Sequence, residues 1–235
     1  MKRFFSLPLL SLVAISYSAS AETALFDGKD LAGWQQPAGT WAAVSKVSLD
    51  PASSKSFLST PGEGILLNSA AGHTVDALTK MEHRDCQLHV EFCVPKDSNS
   101  GVYLMGRYEV QVFDSFGKKD VNFTDCGGLY ERVVDGKGVE GRAPNLNASK
   151  PAGEWQSFDI TFRAPRFDAA GSKTENARFI KVLHNDQLIH ENVEVKGPTR
   201  SAHFNDEKPA GPLLLQGDHG PIAYRNLRIS ETELK

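Results

Sequence analysis

Ten runs along the chain carry the pattern of β-structure, with apolar and polar residues alternating, or β-branched and aromatic residues clustering, over five to ten positions. They are TWAAVSKVSL, GILLN, CQLHVEFCV, GVYLM, YEVQVFD, WQSFDITFR, ARFIKVLHN, QLIHENVEV, GPLLLQG and IAYRNLRIS. Gly, Pro, Asn and Asp punctuate them at the spacing of a sandwich, and no stretch shows the 3.6-residue period of a useful amphipathic helix. An all-β sandwich follows, because antiparallel sheets with one apolar face must bury that face against each other. FIKVLHNDQLIHENV predicts a hairpin turning at Asn185-Asp186, a dipeptide that tolerates positive φ.

The same alternation assigns faces. In CQLHVEFCV, Cys86, Leu88, Val90 and Phe92 share an apolar face, opposite Gln87, His89, Glu91 and Cys93. In YEVQVFD, Val110 and Val112 point one way while Glu109, Gln111 and Phe113 point the other. A side carrying acids and amides is not the core, so it is either solvent surface or a site. Two polar stretches, from Phe116 to Pro151 and from Ala164 to Asn176, exceed plain turns, and the first is a candidate lid over a sheet face.

Composition narrows the class. The 235 residues are 40% hydrophobic and 23% charged, enough for one globular domain with a sizeable core. The opening MKRFFSLPLLSLVAISYSASA has Lys2 and Arg3, an apolar stretch from Phe4 to Ile15 and a small-x-small site at Ala19-Ser20-Ala21, the pattern of a secretory signal. Residues 1–21 are therefore expected to be a signal peptide and 22–235 a single domain outside the cytoplasm. Removing the leader takes two positive charges and no acid, lowering the formal net charge from −3 to −5. An acidic balance argues against nucleic acid or anionic lipid as partner, and no later stretch is apolar over the length of a membrane span. Oligomeric state is not readable. Cys86, Cys93 and Cys126 have no metal-like spacing, Cys86 and Cys93 would point to opposite faces of one strand, and the expectation is buried free thiols.

Candidate chemistry gathers around NSGVY and LLLQGDHG. Gly101 is read as letting the backbone turn, Tyr103 and Tyr130 as stacking platforms, and Gln216, Asp218 and His219 as polar groups ending an apolar strand. Planar surfaces beside amides and carboxylates are what carbohydrate recognition requires. Trp34, Trp41 and Trp155 read as packing residues instead.

LFDGKDLAGWQ at 25–35, TWAAVSKVSL, NSGVYLMGRYEVQVFDS, GEWQSFDITF, the hairpin around Asn185, GPLLLQGDHG and YRNLRI run in order from about Ala24 to the C-terminus. Together they resemble the 3-keto-disaccharide hydrolase family, first catalogued as a domain of unknown function and described as 3-keto-glucoside 1,2-lyases and 3-keto-2-hydroxy-glucal hydratases. The resemblance implies a concanavalin A-like jelly roll, a carbohydrate substrate and bacterial export, commonly to the periplasm. Two departures stand out: Met105 sits where the family commonly has Arg after NSGxxL, and RFDAAGSKTENA is a longer insertion than is usual.

A sugar oxidised at carbon 3 has an acidified hydrogen on carbon 2, so a base removes it and the glycosidic oxygen leaves carbon 1 by elimination. Water then adds back. Such a route needs a base, an acid and a group that polarises the ketone, but no nicotinamide on this chain. Glu109 or His219 suits the base, with Glu91 and Asp218 as related candidates, while Asn99, Gln111, Gln216 and Arg225 suit binding of hydroxyls or the carbonyl. A Glu, Asp and His cluster holding a divalent metal is a further candidate, with no cofactor otherwise required. Two other classes fit the same residues: a non-catalytic carbohydrate-binding module, or a two-carboxylate glycoside hydrolase using Glu91 with Glu109.

Overall fold

The computed structural model describes residues 21–35 and 39–234. The expected leader lies, except for Ala21, outside the described residues. Among the described residues there are sixteen strands and no helix. In chain order the strands are β1 (Thr23–Ala24), β2 (Ala42–Asp50), β3 (Ser53–Leu67), β4 (Ala77–His83), β5 (Cys86–Cys93), β6 (Asn99–Leu104), β7 (Tyr108–Phe113) and β8 (Arg132–Val134). They continue as β9 (Lys137–Val139), β10 (Gln156–Arg163), β11 (Arg166–Phe167), β12 (Lys173–Glu175), β13 (Ala177–His184), β14 (Gln187–Val195), β15 (Gly211–Leu215) and β16 (Ala223–Glu231).

Two antiparallel sheets form the sandwich expected from the alternation. The larger runs β14-β13-β10-β5-β16-β3-β2, with β1 paired to β16, and the smaller runs β4-β15-β6-β7. Between them lie Leu88, Val90 and Phe92 from β5, Phe158, Ile160 and Phe162 from β10, Val102 and Leu104 from β6, and Tyr108, Val110 and Val112 from β7. Each set alternates at period 2, which is why one face of each strand is fully buried against the opposite sheet. The Asn185-Asp186 turn has both residues at positive φ, 49° and 63°, as a two-residue hairpin loop requires. All three cysteines are buried and free. Burial pushes the Cys93 and Cys126 thiols up to about 12.

The faces turned away from this core differ between the sheets. On the larger sheet, Glu91 accepts from Arg225 Nε at 2.6 Å and from Asn226 Nδ2 at 2.7 Å, and the Arg225 guanidinium lies 4.0 Å over the Trp155 ring. His89 Nδ1 bonds Asp159 at 2.7 Å beside them. On the smaller sheet, the outward side chains of β6, β7 and β15 lie beneath loops. Alternation fixes sides, but only the packing of loops distinguishes a covered face from an open one.

Candidate active site on the smaller sheet

The sheet register brings the site together from distant sequence. Leu214 pairs with both Leu78 and Tyr103, and Tyr103 pairs with Glu109, so these four form one row across β4, β15, β6 and β7. The next row sets Gln216, whose N–H donates to Gly101 O at 3.0 Å, beside Gly101 and its partner Gln111. Asn99, Gly101 and Tyr103 alternate outward on β6, as do Glu109 and Gln111 on β7. Gly101 lies within β6 and its role is space, not the turn expected of it: a Cβ there would fall 2.5 Å from Glu109 Oε1 and 2.6 Å from Tyr103 Cε2.

A small recess of about 70 Å³ is lined by Asn99, Tyr103, Glu109, Gln111, Tyr130, Arg200, Ser201, Gln216 and His219. Seven of these are residues singled out from the sequence. Tyr130 enters because residues 127–130 run beside the free edge of β7: Gln111 N–H donates to Gly128 O and Gly127 N–H to Gln111 O, each at 2.8 Å. The stretch from Phe116 thus walls the site, but its roof comes from elsewhere. Arg200 and Ser201, which sequence reasoning missed, sit on the loop between β14 and β15, a segment with no periodicity to mark it. That loop is tied down by Thr199 N–H to Arg107 O at 2.9 Å, Arg200 N–H to Glu131 O at 2.7 Å and His203 N–H to Gly106 O at 3.2 Å.

Arg107 is the buried clamp of this roof and does not reach into the recess. Its Nη1 donates to Met105 O at 2.8 Å, its Nε and Nη2 bond the backbone and carboxylate of Asp206, and its guanidinium stacks 4.6 Å from the Phe204 ring centre. Met105 is itself buried at a φ of 56°, with its N–H held by His83 Nε2 at 3.0 Å. Met105 therefore contributes its backbone to the turn between β6 and β7, outside the recess lining.

Electrostatics set Glu109 apart. It is 3% exposed, and burial, reinforced by the charge of Asp76 and opposed by the Tyr103 hydroxyl beside it, lifts its carboxyl to about 8. Burial and then the Glu109 charge push the Tyr103 hydroxyl well above its ordinary value. Below pH 8 the recess therefore presents a neutral carboxyl group that can donate a proton. Gln111 uses its Oε1 to accept from Val112 N–H at 3.1 Å, which leaves its amide N–H groups as donors. The amide oxygens of Asn99 and Gln216 are buried without any hydrogen-bond partner. Unpaired buried acceptors are costly, and in a recess they mark where ligand donors fit. His219, half exposed at the mouth, has Nδ1 engaged by the Asp218 carboxylate, which leaves Nε2 free.

Three expected site residues are corrected by this arrangement. Glu91 and Arg225 lie on the outer face of the larger sheet, bonded to each other, because their strands β5 and β16 present that side to solvent. Burial raises the Glu91 carboxyl, but Asn226 and Arg225 outweigh it and hold the group below its usual range, as a fixed anion. Glu91 cannot pair with Glu109 across a glycosidic bond, so the two-carboxylate hydrolase has no support. Asp218 does not line the recess but orients His219 from beside it. Among the described residues no group of three or more His, Cys, Asp and Glu side chains is placed to hold a metal ion.

The fold and site define an antiparallel β-sandwich domain with a recess of amides, hydroxyls and a carboxyl on its smaller sheet. The family model of 3-keto-alpha-glucoside-1,2-lyase-like domains matches residues 21–230, and the chain belongs to that family. A crystal structure from Parabacteroides distasonis, provisionally described as a glycosyl hydrolase, is similar at a TM-score of 0.62 and 25% identity, over 95% of this chain and 94% of that one. A second chain of the same description and organism aligns at a TM-score of 0.57 and 15% identity, over 90% of this chain and 94% of that one, and shows the fold alone. No curated protein sequence matches significantly. No helix among the described residues is long and apolar enough to cross a membrane.

Proposed function

We propose that the protein cleaves 3-keto-glucosides by elimination and hydration, with His219 as base and Glu109 as acid. The observation that carries this reading is one recess that joins a buried carboxyl, a histidine oriented by Asp218 and two unpaired amide oxygens. With Nδ1–H given to Asp218, His219 Nε2 is the basic nitrogen and takes the carbon-2 proton. The electron pair is stabilised as an enol whose oxygen, on carbon 3, takes the proton of neutral Glu109 and accepts a hydrogen bond from the Gln111 amide. Collapse of the enol returns the carbon-3 proton to Glu109, forms the carbon-1 to carbon-2 double bond and breaks the bond to the glycosidic oxygen, which takes the proton held by His219. Water then adds its oxygen to carbon 1 and a proton to carbon 2, so the net change is hydrolysis. The unpaired oxygens of Asn99 and Gln216 accept from sugar hydroxyls.

The test is turnover of a 3-keto-glucoside in deuterated water. Deuterium at carbon 2 of the released 3-keto-sugar, above the exchange of the free sugar, is the expected result. Release without that label means direct displacement at carbon 1 and overturns the mechanism. Binding of sugar with no turnover of any 3-keto-glucoside makes the domain a non-catalytic carbohydrate-binding module.

A further inference from the structure

The recess over Glu109 is too small for a disaccharide. Its volume of about 70 Å³ falls far short of the roughly 300–1,000 Å³ of pockets for small-molecule ligands. Only one edge of a sugar ring fits beside Glu109 with the roof as it stands. A second cavity, of about 470 Å³, opens on the same face of the same sheet, over β4. Its lining includes Gln35, Val75, Asp76, Leu78, His203 and Asp218.

Three neighbouring pairs join the two cavities. Asp218 lines the larger and His219 the smaller, and their side chains are bonded. His203 lines the larger and Ser201 the smaller, on one turn of the roof. Asp76 accepts from Gly217 N–H at 3.0 Å, which places it beside Gln216. Leu78 closes the row Leu78–Leu214–Tyr103–Glu109, so the two cavities lie along a line of three strand spacings, about 14 Å. His219 stands at their junction.

We propose that the cavity over β4 is the subsite for the second sugar ring, the one that departs with the glycosidic oxygen. This inference rests on the reading of the recess as the catalytic site. The ketone edge enters toward Glu109, carbon 1 comes to the junction at His219, and the departing ring lies over Val75 and Leu78. Those two side chains give an apolar floor for the C–H face of a pyranose, while Asp76, Asp218 and His203 face its hydroxyls. Burial raises the Asp76 carboxyl above its ordinary value, and the lining sets Asp76 and Asp218 in the cavity with no lysine or arginine to receive an anionic ring. The subsite is therefore built for a neutral ring and disfavours a uronic acid or sulfated one.

The test uses His219→Ala protein, in which turnover is suppressed, with and without Val75→Trp. Val75 is half exposed and lines the cavity over β4 but not the recess, so tryptophan there fills the larger cavity alone. Calorimetric titration compares a 3-keto-disaccharide with the methyl 3-keto-glucoside. The disaccharide should bind at least about tenfold more tightly, and Val75→Trp should abolish that advantage while leaving the methyl glycoside unchanged. Equal affinities for the two ligands, or a Val75→Trp effect on both or on neither, overturn the subsite. Failure of the catalytic reading registers separately, as wild-type protein that shows the disaccharide advantage but no turnover. Absence of binding by either ligand overturns both.

Discussion

Replacing Glu109 by Gln removes a buried carboxyl while keeping its shape, and the structure sets the size and sign of the result. In the folded protein burial holds the group neutral up to about pH 8, whereas in the unfolded chain it ionises near its ordinary value of 4.5. The folded state therefore binds more protons between those two values. Stability from this group is fully present below pH 4.5 and is lost as pH rises through 8. At about 1.4 kcal/mol per pH unit, the loss reaches roughly 3 kcal/mol by pH 7 and roughly 5 kcal/mol above pH 8. The Glu109→Gln side chain does not ionise and carries no such penalty. The variant should therefore match the wild type near pH 4.5 and exceed it by several kcal/mol at pH 9. Urea unfolding followed by tryptophan fluorescence at pH 5, 7 and 9 measures the difference, and contributions shared by both proteins cancel. Parallel pH curves for the two proteins would refute the burial argument. Activity should move oppositely: the variant loses roughly a hundredfold or more in turnover, the usual size of an acid–base contribution. Wild-type turnover should also fall as pH rises through about 8, because the acid is then ionised. Turnover that instead rises through pH 8 would make Glu109 the base.

The remaining predictions address the groups around it. His219→Ala should cut turnover by about a hundredfold or more, and Asp218→Asn by less, with deuterium incorporation at carbon 2 falling in step; full activity in His219→Ala would move the base elsewhere. Gly101→Ala should displace the Glu109 carboxyl and the Tyr103 ring, lowering turnover and costing about 1–3 kcal/mol in urea unfolding at pH 5; unchanged turnover would mean that the spacing at Gly101 does not set the acid's position. Arg107→Lys keeps the charge but not the three-way clamp on Met105 and Asp206, and should cost about 2–4 kcal/mol and raise KM as the roof loosens; an unchanged KM would mean that the roof does not depend on it. Burial lowers His83 to about 4, His184 to about 3 and His190 to about 4. Their stability contribution is present above pH 6.5 and lost as pH falls through 4, up to about 3–5 kcal/mol each, so unfolding at pH 4 should become much easier and His184→Gln should blunt the effect.

Local patterning determined most of the fold. Period-2 alternation placed Val110 and Val112 inward and Glu109 and Gln111 outward, and Asn185-Asp186 supplied the positive φ that its turn requires, since both follow from neighbours in the chain. The recess was legible to the extent that its members sit on regular strands or at strand ends, as Asn99, Tyr103, Glu109, Gln111 and Gln216 do. Alternation carries no information on what covers a face. Glu91 and Glu109 look alike in sequence, yet one is a solvent-side ion paired to Arg225 and the other is sealed beneath a roof. The strand β4 escaped notice because ALTKMEH mixes buried and exposed positions without a clean period, and its place at the edge of the smaller sheet follows only from pairing with β15. Arg200 and Ser201 reach the site through backbone bonds to Arg107, Glu131 and Gly106, residues about seventy to a hundred positions away in sequence. Those contacts exist only once both sheets are assembled, so the depth of the recess, the neutrality of Glu109 and the joining of two cavities at His219 belong to the tertiary structure alone.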